Sequence, residues 1–386
     1  MPTIMQIVPD LRTGGAERTT VDVAEAIVKH GWGSIVLSEG GRLLPELEAT
    51  GARHIQFPAG TKSPARLWQN SRRIIKIARE SNVSLIHARS RAPAWSALWA
   101  AHALKIPFVT TYHGLYKEQN ALKAFYNSAM TRSDAIIANS NYTAGVIRQR
   151  NAAVTSKITV IHRGSDLGYL DPNNVEEERK EALRTAWGLR KGQRVILNVA
   201  RLTAWKGQGV LIDAAVRLLG SGDYEDLCVV LAGDHQGREE YLRSLKSQID
   251  QAGLSERIKL VGHCADVAAA HALADVSVVA SIEPEAFGRA AVEAQAARVP
   301  VIVSDIGAVP ETVLVPPVVS ESERTGWHVP AGDAESLART LETVLSLPQV
   351  DLEDLRSRAL AHVKQKFTKE AMCSATLDVY AKQLGN

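Results

Sequence analysis

Two basic residues in the C-terminal half of the chain have the types and spacing that suit a phosphate anion. Arg201 and Lys206 stand five positions apart in the loop segment 200–207, which follows a predicted strand. A guanidinium can donate to two oxygens at once and an ammonium acts as a point charge, so the two side chains can straddle a diphosphate. Two solvated surface cations would have the same spacing, and this alternative stays open.

Two carboxylates further along the chain suit the binding of hydroxyl groups. Glu285 and Glu293 are eight residues apart, and Pro284 and Gly288 bracket a loop that opens a predicted helix. Such a loop brings backbone N–H groups of the helix start close to the first carboxylate. A fully helical segment would separate the carboxylates by about 12 Å, too far for an acid–base pair on one glycosidic bond. They therefore suit the two ends of an elongated ligand, with a plain surface position as the alternative for Glu293.

A pair of glycines near the start of the chain offers another place for an anion. Gly14 and Gly15 follow the first predicted strand and precede a helix, so backbone N–H groups at the helix start can approach a phosphate. The spacing matches neither G-x-G-x-x-G nor the P-loop, which argues against a kinase and against the usual NAD-binding fingerprint. A plain strand-to-helix turn would have the same sequence.

Short β-rich runs alternate with amphipathic helical segments along the whole chain and must position these residues. This alternation predicts α/β domains with doubly wound parallel sheets and with ligands at the carboxyl ends of the strands. The pattern restarts after the polar, charge-rich segment 171–193. We therefore predict two Rossmann-like domains that face each other across a deep cleft. They comprise residues 1–170 and 171–366, and the helix at about residues 367–386 is expected to pack back on the first domain.

The length, the charge and the cysteines limit the classes of function. The 386 residues suit two domains, and the net charge of +3 divides into +10 for residues 1–170 and −7 for the remainder. The N-terminal half is therefore expected to face an anionic partner. Three widely spaced cysteines predict neither a disulfide framework nor a cysteine zinc site. The sequence shows neither a signal peptide nor an apolar run long enough to cross a bilayer, so we expect a cytoplasmic protein.

The three motifs, in this order, resemble those of the retaining GT-B glycosyltransferases of family 4, the group 1 glycosyl transferases. The most specific part is the E-x7-E pattern from Glu285 to Glu293. Further matches lie at residues 14–17, 138–140, 200–202, 205–207, 309–312 and 325–326. The form of the segment 283–289 is similar to that of bacterial members that build lipopolysaccharide or other envelope glycans.

The resemblance implies that the donor substrate is a sugar nucleotide, linked to UDP, GDP or ADP, and that the C-terminal domain holds most of it. It implies that Arg201 and Lys206 neutralise the diphosphate leaving group and that Glu285 holds hydroxyls of the donor sugar. Further donor contacts are implied for Gly14, Gly15, Phe287, Gly288 and Glu293, and a catalytic place near the donor sugar for His113. The alternative for His113 is an ordinary, hydrogen-bonded histidine at a strand end.

The implied reaction transfers a hexose-type sugar, with retention of the anomeric configuration, to a lipopolysaccharide, lipid-linked or other envelope glycan acceptor. A front-face mechanism fits, in which the departing phosphate takes the acceptor proton while Arg201 and Lys206 stabilise the growing charge. No D-x-D motif occurs in the sequence, which argues against the metal-dependent GT-A class. We therefore expect neither a metal nor another cofactor.

The acceptor is expected on the N-terminal domain, where the positive charge is concentrated. Arg89 and Arg91 follow a predicted strand and are candidates for contacts with acceptor phosphates or carboxylates, with solvated loop cations as the alternative. The basic segment 62–79, which contains Trp68, suits either ordinary helix packing or docking on anionic lipid at the inner face of the cytoplasmic membrane. Nucleic acid is not needed to explain the charge.

Other functions use the same architecture. A sugar-nucleotide epimerase and a phosphorylase also have two facing Rossmann-like domains, and a non-catalytic subunit would bind a sugar nucleotide without turnover. The combination of Arg201, Lys206 and Glu285 argues against the epimerase and the non-catalytic subunit, and nothing in the sequence marks a pyridoxal lysine for a phosphorylase. The epimerase and the non-catalytic subunit remain the alternatives.

Overall fold

The chain folds into two compact α/β units. The computed structural model describes residues 1–12, 14–116, 120–220 and 224–385. The N-terminal unit comprises residues 1–164 with 369–386, and the C-terminal unit comprises residues 165–368.

The N-terminal unit is built on a seven-stranded parallel sheet. Its strands are β1 (Thr3–Ile7), β2 (Gly33–Ser38), β3 (Arg53–Gln56), β4 (Val83–Ala88), β5 (Phe108–Tyr112), β6 (Ala135–Ala138) and β7 (Ile158–Val160). Its helices in the first part of the chain are α1 (Gly15–Lys29), α2 (Leu44–Ala49), α3 (Pro64–Glu80), α4 (Arg91–Leu104), α5 (Ala121–Asn127) and α6 (Asn141–Arg150). In β1, Ile4 packs in one apolar cluster and Met5 and Ile7 in another, because both faces of a parallel sheet are covered.

The C-terminal unit is built on a six-stranded parallel sheet. Its helices are α7 (Leu167–Leu170), α8 (Glu177–Ala186), α9 (Gln208–Leu219), α10 (Glu239–Gln251), α11 (Val267–Ala272), α12 (Arg289–Ala296), α13 (Ala334–Leu345) and α14 (Gln349–Lys366). Its strands are β8 (Arg194–Val199), β9 (Leu227–Ala232), β10 (Ile258–Gly262), β11 (Val276–Val279), β12 (Val301–Ser304) and β13 (Trp327–Val329). Neighbouring residues of β8 again enter different clusters, Ile196 on one face and Leu197 on the other.

In both sheets the strand order reverses at one point, and this reversal positions the candidate site residues. The orders are β3-β2-β1-β4-β5-β6-β7 and β10-β9-β8-β11-β12-β13, so the reversals lie between β1 and β4 and between β8 and β11. Open α/β sheets bind ligands at the carboxyl ends of the strands beside such a reversal. The loops that begin after β1, β4, β8 and β11 contain seven of the predicted site residues, namely Gly14, Arg89, Arg201, Lys206, Glu285, Phe287 and Gly288, and Gly15 is the first residue of α1. The predicted doubly wound, parallel architecture of both domains is confirmed.

The last helix, α15 (Lys369–Leu384), belongs to the N-terminal unit. Its Met372 and Tyr380 are buried in one apolar cluster with Val23 and Ile27 of α1. Among the described residues, no helix is both long enough and apolar enough to cross a membrane.

The division between the units differs slightly from the predicted one. The C-terminal unit begins at Ser165, a few residues before the predicted boundary between 170 and 171. The reason is that α7 packs its Leu167 and Leu170 against Phe287 and Phe367, which belong to the core of the C-terminal unit.

Candidate functional site

The loop after β8 carries the two predicted phosphate-binding cations. Arg201 is exposed, whereas the side chain of Lys206 is mostly buried and its ammonium lies 4.5 Å from the centre of the Trp205 ring. The main chain of the loop is held at two points. Gln208 Nε2 donates to the carbonyl of Arg201 at 3.0 Å, and the Ile282 amide donates to the carbonyl of Trp205 at 2.8 Å. The guanidinium therefore extends toward solvent from a fixed backbone.

An ion pair joins the loop after β8 to the loop after β11. Lys206 Nζ lies 2.7 Å from Glu285 Oε1, and Ser281 Oγ donates to the same carboxylate oxygen. Only 15% of the Lys206 side chain and 9% of the Glu285 side chain are exposed. A charge this deeply buried is costly unless it is paired and hydrogen-bonded. The cation predicted to bind phosphate and the carboxylate predicted to bind sugar hydroxyls therefore hold each other in place.

Glycines permit the close approach of the main chains in this region. Gly207 has a φ of +69°, and a Cβ at this position would lie 1.8 Å from the carbonyl oxygen of Ala280. Gly307 has a φ of +71°, and its Cβ would lie 2.6 Å from both the amide nitrogen and the carbonyl oxygen of Glu285. Residues with a side chain rarely adopt these backbone angles. The position of Glu285 therefore depends on packed main chain as well as on its ion pair.

The second predicted carboxylate lies on α12. Glu293 is buried, and its Oε1 lies 2.7 Å from Arg289 Nε. Gly288 caps the helix with a φ of +88°, and Phe287 is buried in the core, so any contact of Phe287 with a ligand would come from its main chain. Because α12 begins at Arg289, Glu285 lies outside the helix. The separation of about 12 Å expected for a fully helical segment therefore does not apply to this pair.

In the N-terminal unit, the two predicted glycines stand at the start of α1. Gly14 caps the helix and Gly15 is its first residue. A Cβ on Gly15 would lie 2.3 Å from Nη1 of Arg163, so the absence of a side chain makes room for this guanidinium. Arg163 was not among the predicted site residues. One feature of the sequence could have pointed to it. Arg163 is a basic residue shortly after β7, and it therefore lies at the same edge of the sheet as Gly15 and as His113, which follows β5.

The predicted catalytic histidine lies against the same guanidinium. Arg163 Nη2 is 3.1 Å from Nδ1 of His113 and donates to its carbonyl oxygen at 2.9 Å. Burial, and then the positive charges of Arg163 and Arg89 and the nearby His87, hold the pKa of His113 well below its usual value. Its Nε2 is buried and has no hydrogen-bond partner in the part of the chain that the structure describes. The imidazole is therefore neutral at physiological pH, and one of its ring nitrogens is left without a hydrogen bond among the described residues.

The two acceptor candidates differ in their surroundings. The Arg89 side chain is only 2% exposed, its Nη2 donates to Thr19 Oγ1 at 2.6 Å, and burial lowers its pKa. Arg91, the first residue of α4, is half-buried, donates to Asn127 Oδ1 at 2.8 Å and lies 4.8 Å over the Tyr116 ring. The burial of Arg89 inside the unit argues against its direct contact with an acceptor. Arg91 stays a candidate.

The basic segment 62–79 forms most of α3, and its two faces differ. Leu67, Ile74 and Ala78 are buried in the core of the N-terminal unit. On the other face, Trp68 is 53% exposed and the guanidinium of Arg72 lies 4.2 Å from its ring centre. The other exposed cations of this helix are Arg66, Arg73, Lys76 and Arg79. Helix packing thus explains the apolar stripe but not the basic, tryptophan-bearing face.

Comparison with known proteins assigns the chain to a family. The family model of Glycosyltransferase Family 4 matches residues 13–169, and that of Glycosyl transferases group 1 matches residues 179–361. The solved structure of a glycosyltransferase from Rickettsia africae ESF-5 is 33% identical, covers 100% of this chain and 99% of its own, and superposes with a TM-score of 0.88. The chain is a glycosyltransferase of these families. The predicted family, and the prediction that the protein is an enzyme of the glycosyltransferase class, are therefore confirmed.

More distant relatives share either the fold or the general activity of this glycosyltransferase. The solved structure of Anabaena HepE in complex with UDP and glucose is 22% identical, covers 99% of this chain and 100% of its own, and has a TM-score of 0.83, which supports the predicted GT-B fold. A D-inositol 3-phosphate glycosyltransferase of Jonesia denitrificans is 27% identical over 77% of this chain and 71% of its own length. A lipopolysaccharide core biosynthesis mannosyltransferase of Rhizobium leguminosarum bv. viciae is 26% identical over 78% of each chain.

Proposed function

We propose that this glycosyltransferase transfers a hexose-type sugar from a nucleotide diphosphate sugar to a lipopolysaccharide, lipid-linked or other envelope glycan acceptor, with retention of configuration and without a metal or another cofactor. The observation that carries the proposal is the pairing of Lys206 with Glu285 beside the exposed Arg201, at the carboxyl edge of β8 and β11. Two cations suit a diphosphate, and a carboxylate held beside them suits the hydroxyls of the attached sugar. HepE, a structural neighbour, has been solved with UDP-glucose, and the lipopolysaccharide relative favours an envelope acceptor.

The chemistry follows from where negative charge develops. When the bond between the sugar and the diphosphate breaks, charge accumulates on the leaving phosphate oxygens. Lys206 and Arg201 stabilise this charge, and Lys206 is held ready by Glu285, so little reorganisation is needed at the moment of reaction. In the front-face mechanism the departing phosphate then accepts the proton of the acceptor hydroxyl. Glu293, buried on α12, is assigned to the ribose hydroxyls. Further donor contacts are assigned to main-chain groups of Phe287 and Gly288 and, in the N-terminal unit, of Gly14 and Gly15.

Nucleotide release tests the proposed donor and reaction. The full chain is incubated with UDP-, GDP- and ADP-sugars, with and without an envelope extract as acceptor, and with and without EDTA. We expect release with one donor class that is stimulated by the extract and unaffected by EDTA, and a product whose anomeric configuration matches that of the donor. Interconversion of sugar nucleotides without an acceptor would indicate an epimerase instead, and donor binding without release would indicate a non-catalytic subunit. Inhibition by EDTA would contradict metal independence.

A second part of the proposal concerns membrane association. The exposed face of α3 combines cations with a half-exposed tryptophan, which is the composition that docks on anionic lipid at the inner face of a cytoplasmic membrane. Each cation near such a surface contributes about 1 kcal/mol. The triple variant Arg66→Gln, Arg72→Gln, Lys76→Gln should therefore weaken binding to phosphatidylserine-containing vesicles by roughly a hundredfold.

Co-sedimentation with vesicles checks this part, and the exposed Arg148 on α6 provides a matched control. Arg148→Gln should leave vesicle binding unchanged, and added salt should weaken binding of the wild-type chain. Binding that is independent of anionic lipid and of salt would leave α3 with a packing role only.

A further inference from the structure

The guanidinium of Arg163 lies close to two of the proposed donor-site residues, Gly15 and His113. On one side, a Cβ on Gly15 would lie 2.3 Å from Nη1 and 2.9 Å from the guanidinium carbon of Arg163. On the other side, Nη2 lies 3.1 Å from His113 Nδ1 and 2.9 Å from the His113 carbonyl oxygen. One guanidinium nitrogen carries two hydrogens, so Nη2 can donate to both atoms at the same time.

The direction of the hydrogen bond to the ring follows from the chemistry of arginine. An arginine side chain has five N–H donors and no acceptor, and it does not lose its proton in proteins. The His113 Nδ1 must therefore be the acceptor, with a lone pair and no hydrogen. In a neutral imidazole one nitrogen carries the hydrogen, so the hydrogen of His113 lies on Nε2. The doubly protonated ring is disfavoured as well, because an Nδ1–H would face an N–H of Arg163.

The other ring nitrogen has no partner within the described part of the protein. His113 Nε2 is buried and lacks a hydrogen-bond partner among the residues that the structure describes. The neighbouring His87 cannot satisfy it, because both of its ring nitrogens are occupied, Nδ1 by Tyr380 Oη at 2.6 Å and Nε2 by Thr111 Oγ1 at 2.7 Å. A buried donor without a partner is costly, and an acceptor oxygen of a bound ligand removes this cost.

We propose that Arg163 is a positioning residue that holds His113 in its Nε2–H tautomer, so that His113 offers a hydrogen-bond donor, and not a base, to an oxygen of the bound substrate. The substrate part of this proposal rests on the proposed function, in which His113 contacts the donor sugar. The tautomer does not depend on it, because the atoms that set it belong to the free protein. Gly15 takes part indirectly, since it leaves the space in which the guanidinium lies.

Nitrogen chemical shifts of the histidine rings test the proposal directly. The full chain is labelled with 15N-histidine, and the signals of His113 are assigned by their loss in His113→Gln. In the free wild-type protein we expect a pyridine-type Nδ1 and a pyrrole-type Nε2 for His113. In Arg163→Met, which keeps the length of the side chain but removes the donor, we expect the two signals to move toward the average of both tautomers. Arg148→Met, at an exposed arginine on α6, should change neither signal.

Gly15→Ala is a second variant, which disturbs the position of Arg163 without removing its guanidinium. Its methyl group should displace the guanidinium and shift the His113 signals in the same direction as Arg163→Met. A pyrrole-type Nδ1 in the wild type, or unchanged His113 signals in Arg163→Met, would overturn the proposal. These outcomes are separate from those of the proposed function, because they are measured without any sugar nucleotide.

Discussion

The candidate residues of the two units are held in different ways. In the C-terminal unit both buried site carboxylates are paired with opposite charges, Glu285 with Lys206 and Glu293 with Arg289, whereas Arg201 is exposed. In the N-terminal unit the acceptor candidates are instead hydrogen-bonded to neutral groups, such as Thr19 for Arg89. Paired charges fix each other, whereas cations with neutral partners retain more of their positive field. The paired C-terminal residues thus form a preorganised set. In the N-terminal unit Arg91 stays suited to an anionic partner, whereas Arg89 is buried.

The glycines show the same contrast in the packing. Around Gly207 and Gly307 an added Cβ would collide with main-chain atoms, at 1.8 Å and 2.6 Å. At Gly15 it would collide with the end of the Arg163 side chain, at 2.3 Å. Main chain in a packed sheet edge moves only at a high energetic cost, whereas a long side chain can change its rotamer. The comparison therefore predicts larger effects on stability from the C-terminal glycines than from Gly15.

The largest effect should come from breaking the ion pair of the C-terminal unit. Removing one group that stabilises the charge of a transition state lowers turnover by about 10²–10³-fold in other enzymes, and we expect a loss of this size for Lys206→Met. The measurement is the rate of nucleotide release with the donor that the wild-type protein uses. Lys246→Met, at an exposed lysine on α10, is the matched control and should keep normal turnover.

Lys206→Met also leaves Glu285 buried without its cation. The effect of the variant on stability therefore has to be separated from its effect on turnover. The double variant Lys206→Met, Glu285→Gln removes the unpaired charge and should unfold at the same urea concentration as the wild type. It should remain as inactive as the single variant. Recovery of turnover in the double variant would show that Lys206 serves stability and not the leaving group.

A buried histidine of the C-terminal unit should make stability depend on pH. Burial lowers the pKa of His271 to about 4, and neither of its ring nitrogens has a hydrogen-bond partner among the described residues. In the unfolded chain this group takes up a proton near its usual pKa of about 6.5, so stability is full above that pH and is lost as the pH falls toward 4. The expected loss is about 3 kcal/mol.

Urea unfolding at pH 7 and at pH 4.5 checks this prediction, with His271→Leu as the comparison. The variant should lose less stability between the two pH values than the wild type does. Equal losses would place the pH dependence on other groups.

Gly207→Ala should lower stability by about 2 kcal/mol, since a residue with a side chain is strained at this φ and the methyl group meets the Ala280 carbonyl. Because the main chain must shift, Lys206 beside it should move and turnover should fall as well. Urea unfolding and nucleotide release measure the two effects. A variant as stable as the wild type would contradict the picture of a rigid C-terminal site.

Gly15→Ala should have the smallest effect on stability, within about 0.5 kcal/mol of the wild type. The φ of Gly15 lies outside the left-handed region, and the atom in the way is the end of a flexible side chain. The same urea measurement checks this value. A loss as large as that of Gly207→Ala would mean that Arg163 is fixed as firmly as main chain.

Local sequence predicts much of the fold and points to the candidate residues of the C-terminal unit. The alternation of strands and helices predicts both sheets. The spacing of Glu285 and Glu293, and that of Arg201 and Lys206, can each be read from a short stretch of sequence. The first residue of α12 was harder to predict. Gly288 has a left-handed backbone conformation, so the helix begins only at Arg289. Local patterns therefore predict which residues the fold brings to the candidate site better than how far apart they lie.

The N-terminal site depends on distant parts of the chain and could not be predicted in the same way. Arg163 and His113 are fifty residues apart, and no local pattern shows that their side chains meet. The burial of Arg89 likewise depends on packing around Thr19 and on Tyr380 of the last helix. An arginine that follows a strand is usually exposed, so the sequence alone predicts a surface position for Arg89. In the structure Arg89 is buried.

The central claim is that the C-terminal cations bind the diphosphate of the donor, and calorimetric titration with UDP, GDP and ADP tests it most directly. We expect one of these diphosphates to bind the wild-type chain and the Lys246→Met control equally well. It should bind Lys206→Met, and the double variant with Glu285→Gln, at least about tenfold more weakly, which corresponds to the loss of one charge-assisted hydrogen bond. Equal affinity of the wild type and of both Lys206 variants for that diphosphate would contradict the claim.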